Sequence, residues 1–292
     1  MKTRLTGYAF ITPAMLLLIT FGVLPIAVAM VVSLTDMNLA GLGDWSRIRF
    51  IGADNYAALF ADRAFWQAMG NTALFAVVGV PAVVGLSLLI ALGLNASQGR
   101  FFRALRSFYF VPAITAIVAV ALVWGYLFNT QFGLFNHLLS LVGLPPVPWL
   151  SDPVVVKFSV VWVAVWRGIG LNVIILLAAL QGVPKEYLEA ASIDGASRVR
   201  QIVSIVLPLL RFALFFVTIT TIIAWLQFFD EPFVLTKGGP LGASTSISLF
   251  LYQKGFSASQ FGYASAGSVV LFVIIAVVTV VQLRARRSDV DY

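Results

Sequence analysis

The fold is decided by the stretch Glu189-Ala190-Ala191-Ser192-Ile193-Asp194-Gly195-Ala196, which runs on to Leu207-Pro208. It lies in a polar segment between two strongly hydrophobic segments, 154–180 and 207–229. A polar segment between two such segments is a loop at a membrane surface. Pro184 suits a first helical position, and Gly195 suits a left-handed stop. The pattern predicts a short helix, a glycine turn and a second helix that enters the bilayer.

The composition excludes a soluble globular protein. Of the 292 residues, 60% are hydrophobic and only 11% are charged, whereas about a quarter of the residues of a globular protein are charged. The net charge of +7 is explained by basic cytoplasmic loops in a membrane protein. The chain has no cysteine and one histidine, His137, so disulfides, histidine metal clusters and Ser-His-Asp triads are excluded. We expect His137 to be structural or exposed.

Six hydrophobic segments are long enough to cross about 30 Å of hydrocarbon. We predict spans at 8–34, 71–94, 107–128, 154–180, 207–229 and 264–283, within a single domain that covers residues 1–292. Six spans put both termini on one side, and that side then carries twelve lysines and arginines against five in the opposite loops. The positive-inside rule therefore places both termini and the loop 182–206 in the cytoplasm. We predict an all-α membrane protein of six transmembrane helices.

The sequence predicts that energy reaches this chain from another protein. It contains no Gly-x-x-x-x-Gly-Lys-Ser/Thr phosphate loop, so we do not expect it to hydrolyse ATP. The carboxylates are predicted in loops or at span ends, which disfavours a carrier coupled to protons or sodium. A membrane enzyme is disfavoured because no cluster of nucleophile, base and orienting group is apparent. A self-sufficient secondary carrier or channel remains the alternative from another class.

One ionisable residue, Arg167, lies near the middle of the fourth span. An arginine at mid-membrane costs about 2.5–3.5 kcal/mol on insertion scales, so it should face protein or water. With Asn172 nearby, it suits a cavity wall that offers hydrogen-bond donors to a sugar. The alternative is a packing arginine bonded to backbone carbonyls. Trp225 and Gln227, at the end of the fifth span, are further pathway candidates, although an interfacial aromatic belt explains Trp225 equally well.

The loop between the fourth and fifth spans also resembles a motif of a known protein family. The order Glu-Ala-Ala, three residues, glycine, nine residues and Ile-x-Leu-Pro resembles the EAA motif of the permease subunits of binding-protein-dependent ABC importers. The matching residues are Glu189, Ala190, Ala191, Gly195, Ile205, Leu207 and Pro208. Many members carry an aromatic residue where this chain has Ile202, which could alter the ATPase contact. The resemblance implies a type I importer fold and a coupling helix in loop 182–206, Asp194 included, that docks on a separate cytoplasmic ATPase.

Two further segments, 50–56 and 236–266, resemble the carbohydrate uptake branch of that family, above all the maltose-type and glycerol-phosphate-type permeases. The resemblance implies that a solute-binding protein docks at the loop Lys237-Gly238-Gly239-Pro240. It also implies a second permease subunit, two ATPase subunits and an inner-membrane location, with ATP and Mg used by the ATPase and no cofactor bound here. A neutral sugar or polyol is the expected solute, and Arg167 keeps glycerol phosphate open.

Overall fold

The structure is a computed structural model that describes residues 2–95 and 99–287. Its described elements are helical, apart from an isolated β-bridge between Thr35 and Phe50. Two compact units divide the chain. The first contains the residues up to Trp66 and those from Phe250 to Val280, and the second contains Gln67–Leu249 and the residues from Val281 onward. The predicted all-α class is confirmed.

Fifteen α-helices occur in the described ranges. In chain order they are α1 (Lys2–Leu18), α2 (Leu24–Val32), α3 (Leu39–Gly43), α4 (Asp54–Ala61), α5 (Arg63–Asn95), α6 (Arg100–Ile114), α7 (Ile117–Leu127), α8 (Leu134–Leu141), α9 (Val155–Gln181), α10 (Lys185–Ile193), α11 (Arg198–Gln201), α12 (Leu207–Leu209), α13 (Arg211–Leu226), α14 (Ile247–Tyr252) and α15 (Phe261–Arg287). Short π-helical turns lie at Ile19–Val23, Ile202–Val206, Pro232–Thr236 and Gln253–Ser257.

Four stretches of helix are long and apolar enough to cross a membrane unbroken: Phe10–Val32, Arg63–Asn95, Val155–Gln181 and Phe261–Ala285. Two bent pairs meet the same criteria together, α6 with α7 and α11–α12 with α13. The number of spans is six when each bent pair counts as one. These helices overlap the six segments predicted from hydropathy.

The predicted third span, 107–128, is broken rather than straight, because α6 and α7 meet at 98° on either side of Thr115. The Thr115 hydroxyl donates to the Val111 carbonyl over 2.7 Å. That carbonyl is the acceptor that the backbone N–H of Thr115 would use in a continuing helix. The N–H instead reaches the Pro112 carbonyl over 3.4 Å, and Thr115 adopts an extended conformation. The helix therefore ends there.

The predicted fifth span, 207–229, is also bent, by 71° where α12 meets α13 at Leu210. Pro208 lies in the first turn of α12 and has no backbone N–H to donate to the preceding turn. The helix then runs from Arg211 only to Leu226. The residues that follow Leu226 are consequently free to fold back instead of extending the span.

In the first unit, the stretch Phe10–Val32 has none of its residues buried. The chain that leaves α2 is held against α4 by Asn55, whose side-chain amide donates to the carbonyls of Ser33 and Thr35, both over 2.8 Å. The hydroxyls of Ser33 and Tyr56 lie 2.7 Å apart and share a further hydrogen bond. These bonds fix how the first span enters the loop that follows it.

A polar cluster around Asp62 lies between α4 and α5 in the same unit. Asp62 accepts a hydrogen bond from the Tyr263 hydroxyl over 2.9 Å and pairs with Lys254 Nζ at 3.1 Å. Partial burial raises the pKa of Asp62, but the backbone N–H of Ala64 and the two side-chain partners outweigh burial and hold that pKa below its usual value. The cluster thus stabilises the ionised carboxylate.

In the second unit, α5, α9 and α13 form the core. One buried cluster contains Phe75 and Val83 of α5 with Val160 of α9, and it continues through Trp225. The helices α6 and α9 approach so closely that a Cβ at Gly170 would collide with the backbone carbonyl of Tyr109. This packing sets the wall of the cavity described below.

Candidate functional site

The loop between α9 and α13 folds as two helices joined by a sharp turn, and residues 185–206 are called the elbow below. Its first helix, α10, begins at Lys185, so Pro184 lies one residue before the position predicted for it, in an extended conformation. Gly195 has φ of +77°, the left-handed conformation predicted for it. The N–H of Ala196 donates to the Ala191 carbonyl over 2.9 Å, which satisfies the end of α10.

The two arms of the elbow are braced by side chains. The Gln201 amide donates to the Ser192 hydroxyl over 2.9 Å and to the Ala196 carbonyl over 3.1 Å. The Ser197 side chain accepts from the N–H of Arg200 and caps α11. The elbow therefore has a shape determined by its own hydrogen bonds.

The residues predicted to contact an ATPase lie together on this elbow and at its exit. Among them, Glu189, Ala190, Asp194, Gly195 and Pro208 are exposed, while Ala191 and Leu207 are partly buried. Hydrophobic side chains beside them are exposed as well, including Ile193 at 87% and Val199 at 71%. Exposed apolar side chains on a braced polar loop suit a protein contact.

A cavity of about 380 Å³ lies within the second unit, between α5, α6, α9 and α13. Three of the four residues predicted for the solute pathway line it, namely Arg167, Asn172 and Trp225. The fourth, Gln227, does not line it, because this residue ends α13 and its side chain is exposed. The structure thus brings together three of the predicted residues and separates one.

Two carboxylates neutralise the arginine at the cavity wall. Arg167 Nη2 donates to Asp230 Oδ2 over 3.0 Å. Arg167 Nε lies 2.9 Å from Glu231 Oε1, an ion pair without the alignment of a hydrogen bond. Arg167 therefore pairs with carboxylates and also lines the cavity, which differs from the packing arginine bonded to backbone carbonyls.

Glu231 is a cavity residue that sequence reasoning missed. Its side chain is only 2% exposed and lines the cavity, although Asp230 and Glu231 follow a predicted span and were expected in an outer loop. Their position follows from the early end of α13 and the π-helical turn Pro232–Thr236, which folds the chain back. The sequence signal that could have found this residue is the acidic pair Asp230-Glu231, which follows the aromatic end of the fifth span and immediately precedes Pro232.

The remaining cavity wall is neutral and partly aromatic. The Asn172 amide donates to the Thr221 hydroxyl over 3.2 Å, and both residues are buried. The rings of Trp225 and Phe228 stack with centroids 5.0 Å apart. Trp225 packs so closely on α5 that a Cβ at Gly79 would collide with its indole ring. These groups offer hydrogen bonds and a flat apolar face.

The predicted docking loop forms a compact turn in the second unit. Lys237 is exposed with φ of +52°, Gly238 is buried, and the Gly239–Pro240 peptide bond is cis. The hydroxyls of Thr236 and Ser244 lie 2.7 Å apart, and Ser244 also donates to the Gly239 carbonyl over 2.7 Å. The loop is therefore a folded turn of which part is exposed, rather than an open polar segment.

Two residues of α5 hold this turn in place. The Asn71 amide donates to the carbonyls of Gly242 and Thr245 over 3.0 Å and 2.9 Å. The Thr72 hydroxyl accepts from the N–H of Ile247 over 2.8 Å. Leu241, at the tip of the turn and immediately before the anchored residues, is 88% exposed. The turn thus presents its tip while its base is buried.

Residues 83–288 match the family described as the binding-protein-dependent transport system inner membrane component. The chain belongs to this family. That membership confirms the predicted inner-membrane location and the prediction that the chain is a transporter subunit rather than an enzyme.

Similar proteins of this family extend over almost the whole chain. The trehalose/maltose transport system permease protein MalF of Thermococcus litoralis is 35% identical over 98% of this chain and 95% of its own length. The lactose transport system permease protein LacF of Rhizobium radiobacter is 33% identical over 97% of this chain and 94% of its own length. Both alignments thus cover more than nine-tenths of each relative's length.

A solved structure shares the fold. A chain of a bacterial ABC transporter involved in the import of the acidic polysaccharide alginate superimposes with a TM-score of 0.82. It is 22% identical, and the match covers 99% of this chain and 98% of that one. The predicted importer permease fold is confirmed by this likeness.

Proposed function

We propose that this chain forms half of the translocation pathway of an ATP-driven importer for a sugar, an oligosaccharide or a polyol. It acts with a second, similar permease subunit, two cytoplasmic ATPase subunits and an extracytoplasmic solute-binding protein. ATP and Mg are used by the ATPase, and this chain binds no cofactor. Family membership supports the transport role, and the relatives named for lactose and for trehalose or maltose support the class of solute.

The observation that carries this proposal is the braced elbow with exposed Glu189 and Gly195. In the proposed mechanism the ATPase pair closes on ATP and moves the elbows of both permease subunits. The helix α9 ends shortly before the elbow, and α12 leads from the elbow through the bend at Leu210 into α13. Because α9 and α13 line the cavity, movement of the elbow is passed to the cavity wall. The pathway then opens outward as the binding protein releases the solute, and the docking loop at Lys237–Pro240 receives that protein.

The cavity chemistry supports a sugar as the solute. Sugar hydroxyls need directional hydrogen bonds, which Asn172 and Thr221 offer, and sugar C–H faces pack on aromatic rings such as that of Trp225. The relatives leave the charge of the solute open, because lactose is neutral whereas alginate is an acidic polysaccharide. Glycerol phosphate is the alternative solute that Arg167 had kept open.

The test is purification of the tagged chain from its native membrane in mild detergent, followed by reconstitution into liposomes. We expect an ATPase and a second six-span protein to co-purify. We also expect uptake of a solute such as maltose or lactose to require both ATP and the binding protein. Uptake by this chain alone, without ATP, would instead identify a carrier or channel and would overturn the proposal.

A further inference from the structure

The cavity wall carries a cluster of one arginine and two carboxylates. Arg167 is the single basic side chain among the described residues that line the cavity, and it lies between two carboxylates. An unpaired arginine at this position would attract phosphate, sulfonate or carboxylate groups of a solute. The arrangement of its partners therefore decides whether an anionic solute is favoured.

The guanidinium is engaged through two different nitrogens. Asp230 Oδ2 lies 3.0 Å from Nη2, and Glu231 Oε1 lies 2.9 Å from Nε. Glu231 is 2% exposed, and its Oε1 has no hydrogen bond to the described residues, so this oxygen is fixed at the wall without a neutral donor. Two of the three guanidinium nitrogens, Nη2 and Nε, are thus directed at protein carboxylates.

The cluster has no net positive charge. One guanidinium faces two carboxylates, which leaves one negative charge when both are ionised. When Glu231 carries a proton, the cluster is neutral. In either state an anionic solute gains no net attraction, whereas the neutral donors and acceptors of Asn172, Thr220 and Thr221 remain available for hydroxyl groups.

We infer that the Arg167–Asp230–Glu231 cluster is a charge filter that favours neutral saccharides or polyols over anionic ones. This inference rests on the proposed transport function and narrows its class of solute. In this filter Arg167 is the counter-ion that allows the Glu231 carboxylate to be buried in the cavity wall. Asp230 and Glu231 determine whether neutral or anionic solutes are admitted. Removal of one carboxylate should shift the cluster towards positive charge and admit an anionic solute.

The expected size of the effect follows from Coulomb's law. A unit charge on the cavity wall about 8 Å from an anionic group of the solute, at an effective dielectric constant of about 20, changes the preference for the anionic over the neutral solute by about thirtyfold. The change appears only for charged solutes, since a neutral sugar has no net charge to respond. A comparison of matched neutral and anionic sugars therefore isolates it.

The test uses proteoliposomes that contain the complete importer, with its own binding protein. The probes are maltose, lactose and arabinotriose, each supplied as the neutral sugar and as the aldonate made by oxidising its reducing end. The measured quantity is the ratio of ATP-driven uptake of the aldonate to that of the neutral sugar. Because the binding protein is the same throughout, its own preference cancels when variants are compared with the wild type.

The principal variant is Asp230→Asn, in which a carboxylate that is 48% exposed is replaced, and Glu231→Gln removes the other partner. Asp44→Asn, at an exposed carboxylate in the loop after α3, is the matched control. We expect the uptake ratio to rise about thirtyfold in at least one of the two cavity variants. The ratio should be unchanged in the control.

Two results separate the failure of this inference from the failure of the proposed function. If neutral sugar enters but neither cavity variant changes the ratio by more than about twofold, the charge filter is refuted while the importer stands. If no sugar enters with ATP present, the proposed function itself is wrong.

Discussion

Replacing Gly195 with tryptophan should uncouple the elbow from its ATPase without unfolding the protein. Gly195 has φ of +77°, and a Cβ built on it meets no described heavy atom within 4 Å. The Cβ of the new residue therefore meets no steric clash, and the backbone cost is that of a side chain in the left-handed region, about 1–2 kcal/mol. The subunit should still reach the membrane, since folded proteins are stable by about 5–15 kcal/mol.

The effect on docking should be larger because the new ring lies on the proposed contact surface. Excess volume in a packed contact costs about 1–3 kcal/mol, which corresponds to about a five- to 150-fold weaker contact. Gly143 offers a matched control, since it has φ of +74°, is exposed, and likewise has no described heavy atom within 4 Å of its Cβ. Gly143→Trp introduces the same strain in a different loop, directly after α8.

The assay compares both variants for membrane content, for co-purified ATPase and for ATP hydrolysis stimulated by the loaded binding protein. We expect equal membrane content and a loss of co-purification and stimulation only in Gly195→Trp. If Gly195→Trp hydrolyses ATP and transports solute as Gly143→Trp does, the coupling role of the elbow is refuted.

Three further predictions concern stability, each measured by thermal unfolding of the purified complex. Gly79→Ala should lower the free energy of unfolding by about 1–3 kcal/mol because the new Cβ collides with the indole ring of Trp225. Gly85→Ala, in the same helix, places its Cβ in open space and should raise the free energy of unfolding slightly. Asn136→Ala should lower the melting temperature because its buried amide makes four hydrogen bonds; His137→Ala, at an exposed neighbour, should change it little. Asp62→Asn should destabilise the protein at neutral pH. This difference should be full above about pH 4, the ordinary pKa of an aspartate, and should shrink as the pH falls from there through the lowered pKa of folded Asp62, because protonation then removes the ion pair. A pH-independent difference would contradict that cause.

The elbow could be predicted from sequence because its signals are local. A helix start, an apolar face and a glycine stop lie within a few residues of one another, and the observed α10 and Gly195 follow them. The hydrophobic segments were predictable for the same reason, since the length and apolarity of a segment are properties of the segment alone.

The bend at Thr115 and the cavity cluster could not be predicted in this way. The Thr115 hydroxyl redirects one hydrogen bond inside a hydrophobic segment, and this leaves the hydropathy of the segment almost unchanged. Arg167 and Asp230 are 63 residues apart, so their pairing depends on how α9 and α13 pack. Gln227 lies outside the cavity for a related reason, because the exact end of α13 decides which side chains face the cavity.

The braces within the elbow determine how mechanical work passes through it. At about 1.5 Å per residue, the nine residues of α10 form a bar about 13 Å long. A soft loop of that length would absorb a push at its surface by changing its own shape. With Gln201 bonded to Ser192 and to the Ala196 carbonyl, the bar and the turn move as one stiff lever. In the proposed mechanism, a displacement at the ATPase is therefore transmitted to the ends of α9 and α13, and little of it is absorbed by deformation of the elbow.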